Sequence, residues 1–448
     1  MIKVVSSKRW LWFSSLSFGL VLAPLFLALA AFSSYVDQAQ WLSYMTDTYT
    51  WRVVWFSWWQ ASLSTLISLS AALLVARALA RRQSFLGRWF LLRCFSVALV
   101  VPSIIAVFGI ILLHGKYGYV NQLWLWFGGQ PHSYVYGLVG ILLAHVFFNL
   151  PLATRVLLQR LEAINAETWR LSNQLGMTSA DLWRHIEWPH IKGVLPQLAA
   201  LVFTLCFTSF AIVMTLGGGP KATTIEVAIF QAIRFDFDIA KAVYLSLLQI
   251  GFCGFILWVG LRLGRPIDVF ASFEMSAKNL RPDLKPLVGI ISDSMVLALA
   301  TLIVLMPLFA VIIAGINEAW FEVLFDLRLW SAFSNSLWVA LSSAFLSLLM
   351  ASGLLLAQRH WRVRHTSSAL AVEWMGSVIL VVPPLVLATG LFIGLSPHVN
   401  VFAINLYIVV LVNALMGLPY ILRVLSVAYL KVDKDYSRLC SSLGVQGW

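Results

Sequence analysis

Residues 150–189 read LPLATRVLLQRLEAINAETWRLSNQLGMTSADLWRHIEWP, and residues 418–448 read LPYILRVLSVAYLKVDKDYSRLCSSLGVQGW. Leu150-Pro151, Arg155 and Gly176 return as Leu418-Pro419, Arg423 and Gly444, each 268 positions later, and each copy follows a long apolar run. A fixed-spacing repeat between hydrophobic halves is how membrane transporters build one path from two related parts. Upstream, Phe56-Ser57, Ala80 and Arg82 match Phe333-Ser334, Ala357 and Arg359. Pro102 and Gly109 match Pro383 and Gly390.

The surrounding chain has the matching composition. With 60% hydrophobic residues, 11% charged residues and a mean hydropathy of +0.86, it is an integral membrane protein. Ten predominantly apolar runs are long enough to cross a bilayer: 10–32, 54–79, 90–114, 134–154, 194–216, 240–261, 294–315, 333–357, 369–394 and 401–422. The first is too long and too poorly ended for a cleavable signal, so it reads as a retained helix. Spans two to four correspond to spans eight to ten. Repeat symmetry then predicts a full chain of about 530 residues with twelve spans. The expected division is a first half, 1–290, with six spans and a complete loop at 162–196, and a second half, 291–448, whose loop is cut at 448. The halves run parallel, related by an axis along the membrane normal.

Charge orients the spans. Placing the N-terminus in the cytoplasm puts 25 of the 31 Lys and Arg on cytoplasmic segments, as the positive-inside rule requires. The net charge of +12 therefore reports topology and not nucleic-acid binding, which needs the charges gathered on one soluble face. Four scattered cysteines and eight single histidines show no metal-ligand spacing, and no metal site or disulfide is expected.

The loop after Pro151 holds the most specific chemistry. Asn165 is placed to cap a helix running to Leu175, with Glu167 in its first turn, and Gly176 to break it. Thr178 and Asp181 form a T-x-x-D capping-box variant that starts a second short helix, expected to end before Trp188-Pro189. In the second copy Asp433 and Asp435 stand at the places of Asn165 and Glu167, and Gly444 again makes the corner. A helix, a glycine corner and a helix form a docking element.

Gly176, nine residues, Ile186, one residue, then Trp188-Pro189 resembles the EAA loop of binding-protein-dependent ABC importer permeases, whose pattern is E-A-A, three residues, G, nine residues, I-x-L-P. Here the E-A-A places hold Arg170, Leu171 and Ser172, then Arg438, Leu439 and Cys440 in the second copy, and Trp188 replaces Leu. The resemblance implies a type I importer (MetI-like) all-α bundle of two parallel pseudo-repeats, with ten of about twelve spans present. It implies that the loop seats in a cleft of a separate ATPase subunit, present in two copies. The contact residues are then Arg170, Leu175, Gly176, Met177, Thr178, Ala180, Asp181, Trp183, Ile186 and Pro189 in the first copy, and Arg438, Leu443 and Gly444 in the second. ATP and magnesium would sit on that subunit and none on this chain, whose Gly217-Gly218-Gly219-Pro220-Lys221 lacks the G-K-[ST] of a P-loop. A periplasmic binding protein would deliver the small-molecule substrate, placing the chain as a multi-pass protein of the bacterial inner membrane.

LLAHVFFNLP (142–151), QLGM (174–177), EWP (187–189) and LGGGPKATTIEVAIFQA (216–232) are most similar to the thiamine and thiamine pyrophosphate permeases, with iron(III) permeases as the alternative. For a cationic aromatic substrate, Glu226, Phe230 and Gln231 are candidates for the path. A secondary transporter is disfavoured, since the acids near spans, Asp293 and Glu373, lie at a cytoplasmic entrance. No convergent set of groups suggests an enzyme.

Overall fold

Apolar runs of this length can satisfy their backbone in lipid only as helices, and every regular element of the described residues is helical. The computed structural model describes residues 8–35, 38–85, 87–264, 281–284, 287–317, 320–364 and 382–442. In chain order the helices are α1 (Lys8–Ser33), α2 (Gln38–Thr46), α3 (Thr48–Arg81), α4 (Arg88–Ala98), α5 (Ser103–His114), α6 (Tyr119–Trp126), α7 (Leu138–Glu162), α8 (Ala166–Gln174), α9 (Ser179–Leu182), α10 (Trp188–Ile191), α11 (Leu195–Phe207), α12 (Phe210–Leu216), α13 (Ile225–Arg234), α14 (Ile239–Leu263), α15 (Leu287–Gly315), α16 (Trp320–Phe325), α17 (Leu327–Arg364), α18 (Pro384–Leu395) and α19 (Asn405–Ser442).

Among the described residues, eight helices are long and apolar enough to cross a membrane. Two of the ten expected spans differ from expectation, and a third is only partly described. The run 90–114 is broken, because Pro102 has no N–H to donate and forces its predecessor out of helical backbone. α4 stops at Ala98, α5 starts after Pro102 (ψ 136°), and the spanning stretch shifts to Ser103–Trp126. The run 194–216 splits at Thr208 and Ser209, where Ser209 takes extended backbone (ψ 97°), into α11 and α12. Most of 369–394 lies outside the described residues. Its end is α18, which begins after Pro383 (ψ 146°) as α5 begins after Pro102.

Two compact units form, and they are not the two sequence halves. One holds Met1–Trp41, Asp238–Ile250 and Phe321–Trp448. In it α1 packs on α17 and α18, and α17 on α19, around Val21, Leu25, Ala28, Met350, Leu354, Leu387, Leu391 and Leu415. The other holds Leu42–Phe237 and Gly251–Trp320. There α3 packs on α7 and α11, while α15, the first span after the linker, packs on α5 and α3. The first helix of each sequence half thus lies among helices of the other. Glycine permits both crossings: a methyl on Gly109 of α5 would strike the backbone carbonyl of Pro307 in α15, and one on Gly390 of α18 would lie 2.8 Å from Cα of Ala28 in α1. These are the two glycines that the repeat pairs with each other.

Candidate functional site

The loop between α7 and α11 is built by local rules at its tip and by buried charge at its base. Asn165 sits at the N-cap of α8 in extended backbone (φ −61°, ψ 145°), but makes no side-chain capping bond. α8 closes as a Schellman motif: Gly176 N–H donates to Asn173 O and Met177 N–H to Ser172 O, both at 3.1 Å. Gly176 stands at φ +62°, the left-handed geometry this motif demands and glycine adopts without penalty. Thr178 and Asp181 then make the expected capping box. Asp181 N–H donates to Thr178 Oγ1 (3.3 Å), and Thr178 N–H donates to Asp181 Oδ2 (3.0 Å). The bonds from the Thr178 side chain and backbone, with His185 and Arg184 nearby, outweigh the small desolvation and hold the Asp181 carboxyl below its ordinary range.

The second helix does not end before Trp188-Pro189. It runs on from α9 through a π turn, Trp183–Glu187, into α10, with Trp188 N–H donating to Trp183 O. The wider turn leaves Pro189 in the first turn of α10, where a missing N–H costs nothing.

The tip presents Arg170, Leu175, Gly176, Thr178, Ala180 and Pro189 to the outside, with Leu175 63% exposed. Met177, Asp181 and Trp183 are half-buried, and Ile186 is buried with Leu182 and Ile191 beneath. Exposed leucines on a capped corner, Leu171 and Leu175, are what a protein docking surface offers.

Sequence reasoning missed the base of the loop. Glu187 is fully buried and accepts from two arginines: Arg77 Nε at the end of α3 (2.6 Å) and Arg281 Nη2 (2.5 Å). Arg77 also donates to Ser179 O (3.0 Å), and its guanidinium lies 5.0 Å from the centre of a Trp183 ring. Arg281 grips Asp283 through two bonds (3.0 and 3.1 Å) and lies 4.3 Å over Trp169 of α8. Arg81 and Arg82 at the end of α3 both bind Asp293 of α15 (2.5 and 2.9 Å), and Arg82 also donates to Leu284 O (2.8 Å). Burial pushes the Asp283 carboxyl up, but the Arg281 bonds and the charges of Arg281, Arg81 and Arg77 bring it below its ordinary value. Burial likewise lowers the Arg281 guanidinium pKa, and Asp283 and Glu187 more than restore it. Counting Lys and Arg per loop had marked these arginines only as topological signals. The sole local hint was an acid, Glu187, within a mostly apolar segment.

In the second copy Asp433 is not a cap. α19 runs unbroken from Asn405 to Ser442 through Pro419, Asp433 and Asp435. Trp169, held under Arg281, corresponds to Ser437, so the second copy lacks the indole that anchors α8. Arg438 lies within α19, and Leu443 and Gly444 fall outside the described residues.

Deeper in the same unit, one face of α3 carries buried Ser57, Gln60, Ser64 and Ser68. Ser64 pairs with His145 of α7 (2.8 Å), Gln60 donates to Cys206 O (3.1 Å), Asn149 donates to Cys206 Sγ (3.2 Å), and the Ile225 N–H at the start of α13 donates to Ser57 (2.9 Å). Polar pairs of this kind tie helices where lipid gives no hydrophobic drive. α13 follows the turn at Gly217–Gly219, with Gly218 at φ +71° and Gly219 at φ +132°. It places Glu226 in the interior and leaves Phe230 and Gln231 half-buried, with Phe230 5.2 Å from Phe210 and 6.0 Å from Phe235. Trp58 packs among Phe203, Phe207 and Phe252.

The family described as "Binding-protein-dependent transport system inner membrane component" matches residues 68–261. The thiamine transport system permease protein ThiP of Escherichia coli is 43% identical over 426 residues, 94% of this chain and 79% of that one. The chain belongs to the binding-protein-dependent permeases. A Haemophilus influenzae protein named for ferric transport is 25% identical over 252 residues, 54% of this permease and 38% of that protein. Among solved structures, a bacterial alginate ABC transporter in complex with an alginate pentasaccharide-bound periplasmic protein aligns with TM-score 0.51 at 14% identity, covering 58% of this permease and 95% of that chain. The match at 68–261 contains the whole corner loop and its ion pair to α3, Arg77–Glu187.

Proposed function

We propose that this permease is the membrane path of an ATP-driven importer that passes thiamine and its phosphate esters from a periplasmic binding protein to the cytoplasm. The observation that carries the substrate is the 43% identity to a thiamine permease along 94% of the chain. The N-terminus lies in the cytoplasm, as the distribution of Lys and Arg requires. ATP and magnesium are held by two copies of a separate ATPase subunit. One copy takes the corner at Gly176, with Leu171 and Leu175 entering its cleft and the π turn held from behind by Glu187. Closure of the ATPase pair moves the loop, and the bundle changes from inward-facing to outward-facing about a central site.

Along the path, Phe230 offers an aromatic face and Glu226 a carboxylate to a cationic aromatic substrate, with Gln231 beside them on α13. Proteoliposomes holding the permease, its ATPase subunit and the binding protein provide the test. ATP hydrolysis should rise with thiamine, and Gly176→Pro should abolish the rise. Stimulation by iron(III) and not by thiamine would keep the fold and replace the substrate. Stimulation that survives Gly176→Pro would remove the loop from the coupling scheme.

A further inference from the structure

We infer that Arg281, in the segment joining the two sequence halves, is a positioning residue that fastens the first coupling loop to the first helix of the second half. The inference rests on the coupling scheme just proposed and adds a mechanical link within it. The loop and α15 are distant in sequence, yet one chain of charge joins them: Glu187, Arg281, Asp283, Arg81 and Asp293, in that order. Arg77 joins the same Glu187 from α3, and Arg82 the same Asp293. The side chains of Glu187 and Asp293 are 0% and 1% exposed, and that of Arg281 is 5% exposed.

Charges buried to this degree are stable only while their partners stay within reach. A loop displaced at Gly176 therefore has two courses. It can strand Glu187 and Arg281, or it can carry residues 281–284 with it. The second keeps Glu187, Arg281 and Asp283 together, and Arg281 is the residue that selects it, since among the described residues it alone bonds both Glu187 and Asp283. Its planar guanidinium is suited to this, with Nη2 serving Glu187 and Nε and Nη2 serving Asp283 while Trp169 of α8 covers the face. Movement at the first loop thus reaches α15, which packs along α5 and α3.

Two measurements test the link on the complete complex in proteoliposomes. The first is amide hydrogen exchange on adding ATP. In the wild type, exchange should change both at residues 176–187 and at residues 287–296. In Arg281→Gln the change should persist at 176–187 and vanish at 287–296. The second is thiamine transported per ATP hydrolysed, which should fall about tenfold in Arg281→Gln, a typical size for a lost coupling, and recover in part with Arg281→Lys, which restores the charge without the fork. If Arg281→Gln does not assemble, Asp283→Asn cuts the chain on its other side and must give the same exchange pattern. A response at 287–296 that survives in whichever variant assembles overturns the inference. If thiamine fails to stimulate the wild type while the exchange pattern holds, the substrate reading falls and the link stands.

Discussion

Gly109 and Gly390 stand at equivalent places in the two copies and meet the same need, whereas Asn165 and Asp433 stand at equivalent places and do not. At the glycines a foreign helix crosses so closely that no side chain fits, α15 at one and α1 at the other. At Asn165 one helix has ended and another begins, while at Asp433 a helix runs straight through. The repeat is kept where helix packing demands it. It diverges where local structure depends on partners outside the repeat, since Trp169 has Arg281 above it and Ser437 offers no such ring.

The largest effect that sharpens this contrast is expected at Glu187. Glu187→Ala leaves Arg77 and Arg281 buried without their shared acid, and removal of one partner from such a set costs about 3–5 kcal/mol. Thermal unfolding in detergent should show it.

Next come the crossings. Gly109→Ala and Gly390→Ala each press a methyl into another helix, and overpacking of this kind costs about 1–3 kcal/mol. The two should be alike, so a loss at one and none at the other would break the equivalence of the halves. Smaller again is the cap: Thr178→Ala should cost about 1 kcal/mol and loosen amide protection at Asp181 and Leu182, with α19 unaffected.

Acidification provides the mildest test. The Asp283 carboxyl is held below its ordinary value of about 3.9, so its contribution is complete above that value. It disappears as pH falls through the lowered one. Melting temperature should drop below about pH 4, and Asp283→Asn should flatten that part of the curve. An unchanged slope would remove Asp283 from the network.

The sequence made much of this legible and left some of it hidden, for identifiable reasons. Apolar length foretold the helices, and the Thr178–Asp181 box and the Gly176 corner were readable because each is settled within six residues of chain. Pro102 breaks the third span because it has no N–H to donate, which the apolar length of 90–114 does not register. The network around Glu187 was hidden because its members come from residues 77–82, 187 and 281–293, and no local pattern links them. Asp433 misled because good capping chemistry is a local preference, and an uninterrupted helix can outvote it when nothing else fixes the break. The exchange of first helices was equally invisible, although the two glycines that permit it had already been paired by the repeat.

That exchange also sets a timetable for synthesis. Ala28 leaves the ribosome 362 residues before Gly390, the position it will lie against. At about 5–20 residues per second the first helix waits roughly 20–70 s in the bilayer without the groove it belongs to. Gly109 waits only for Pro307, 198 residues later. The earliest helix of this permease is therefore seated only after α18 has been made.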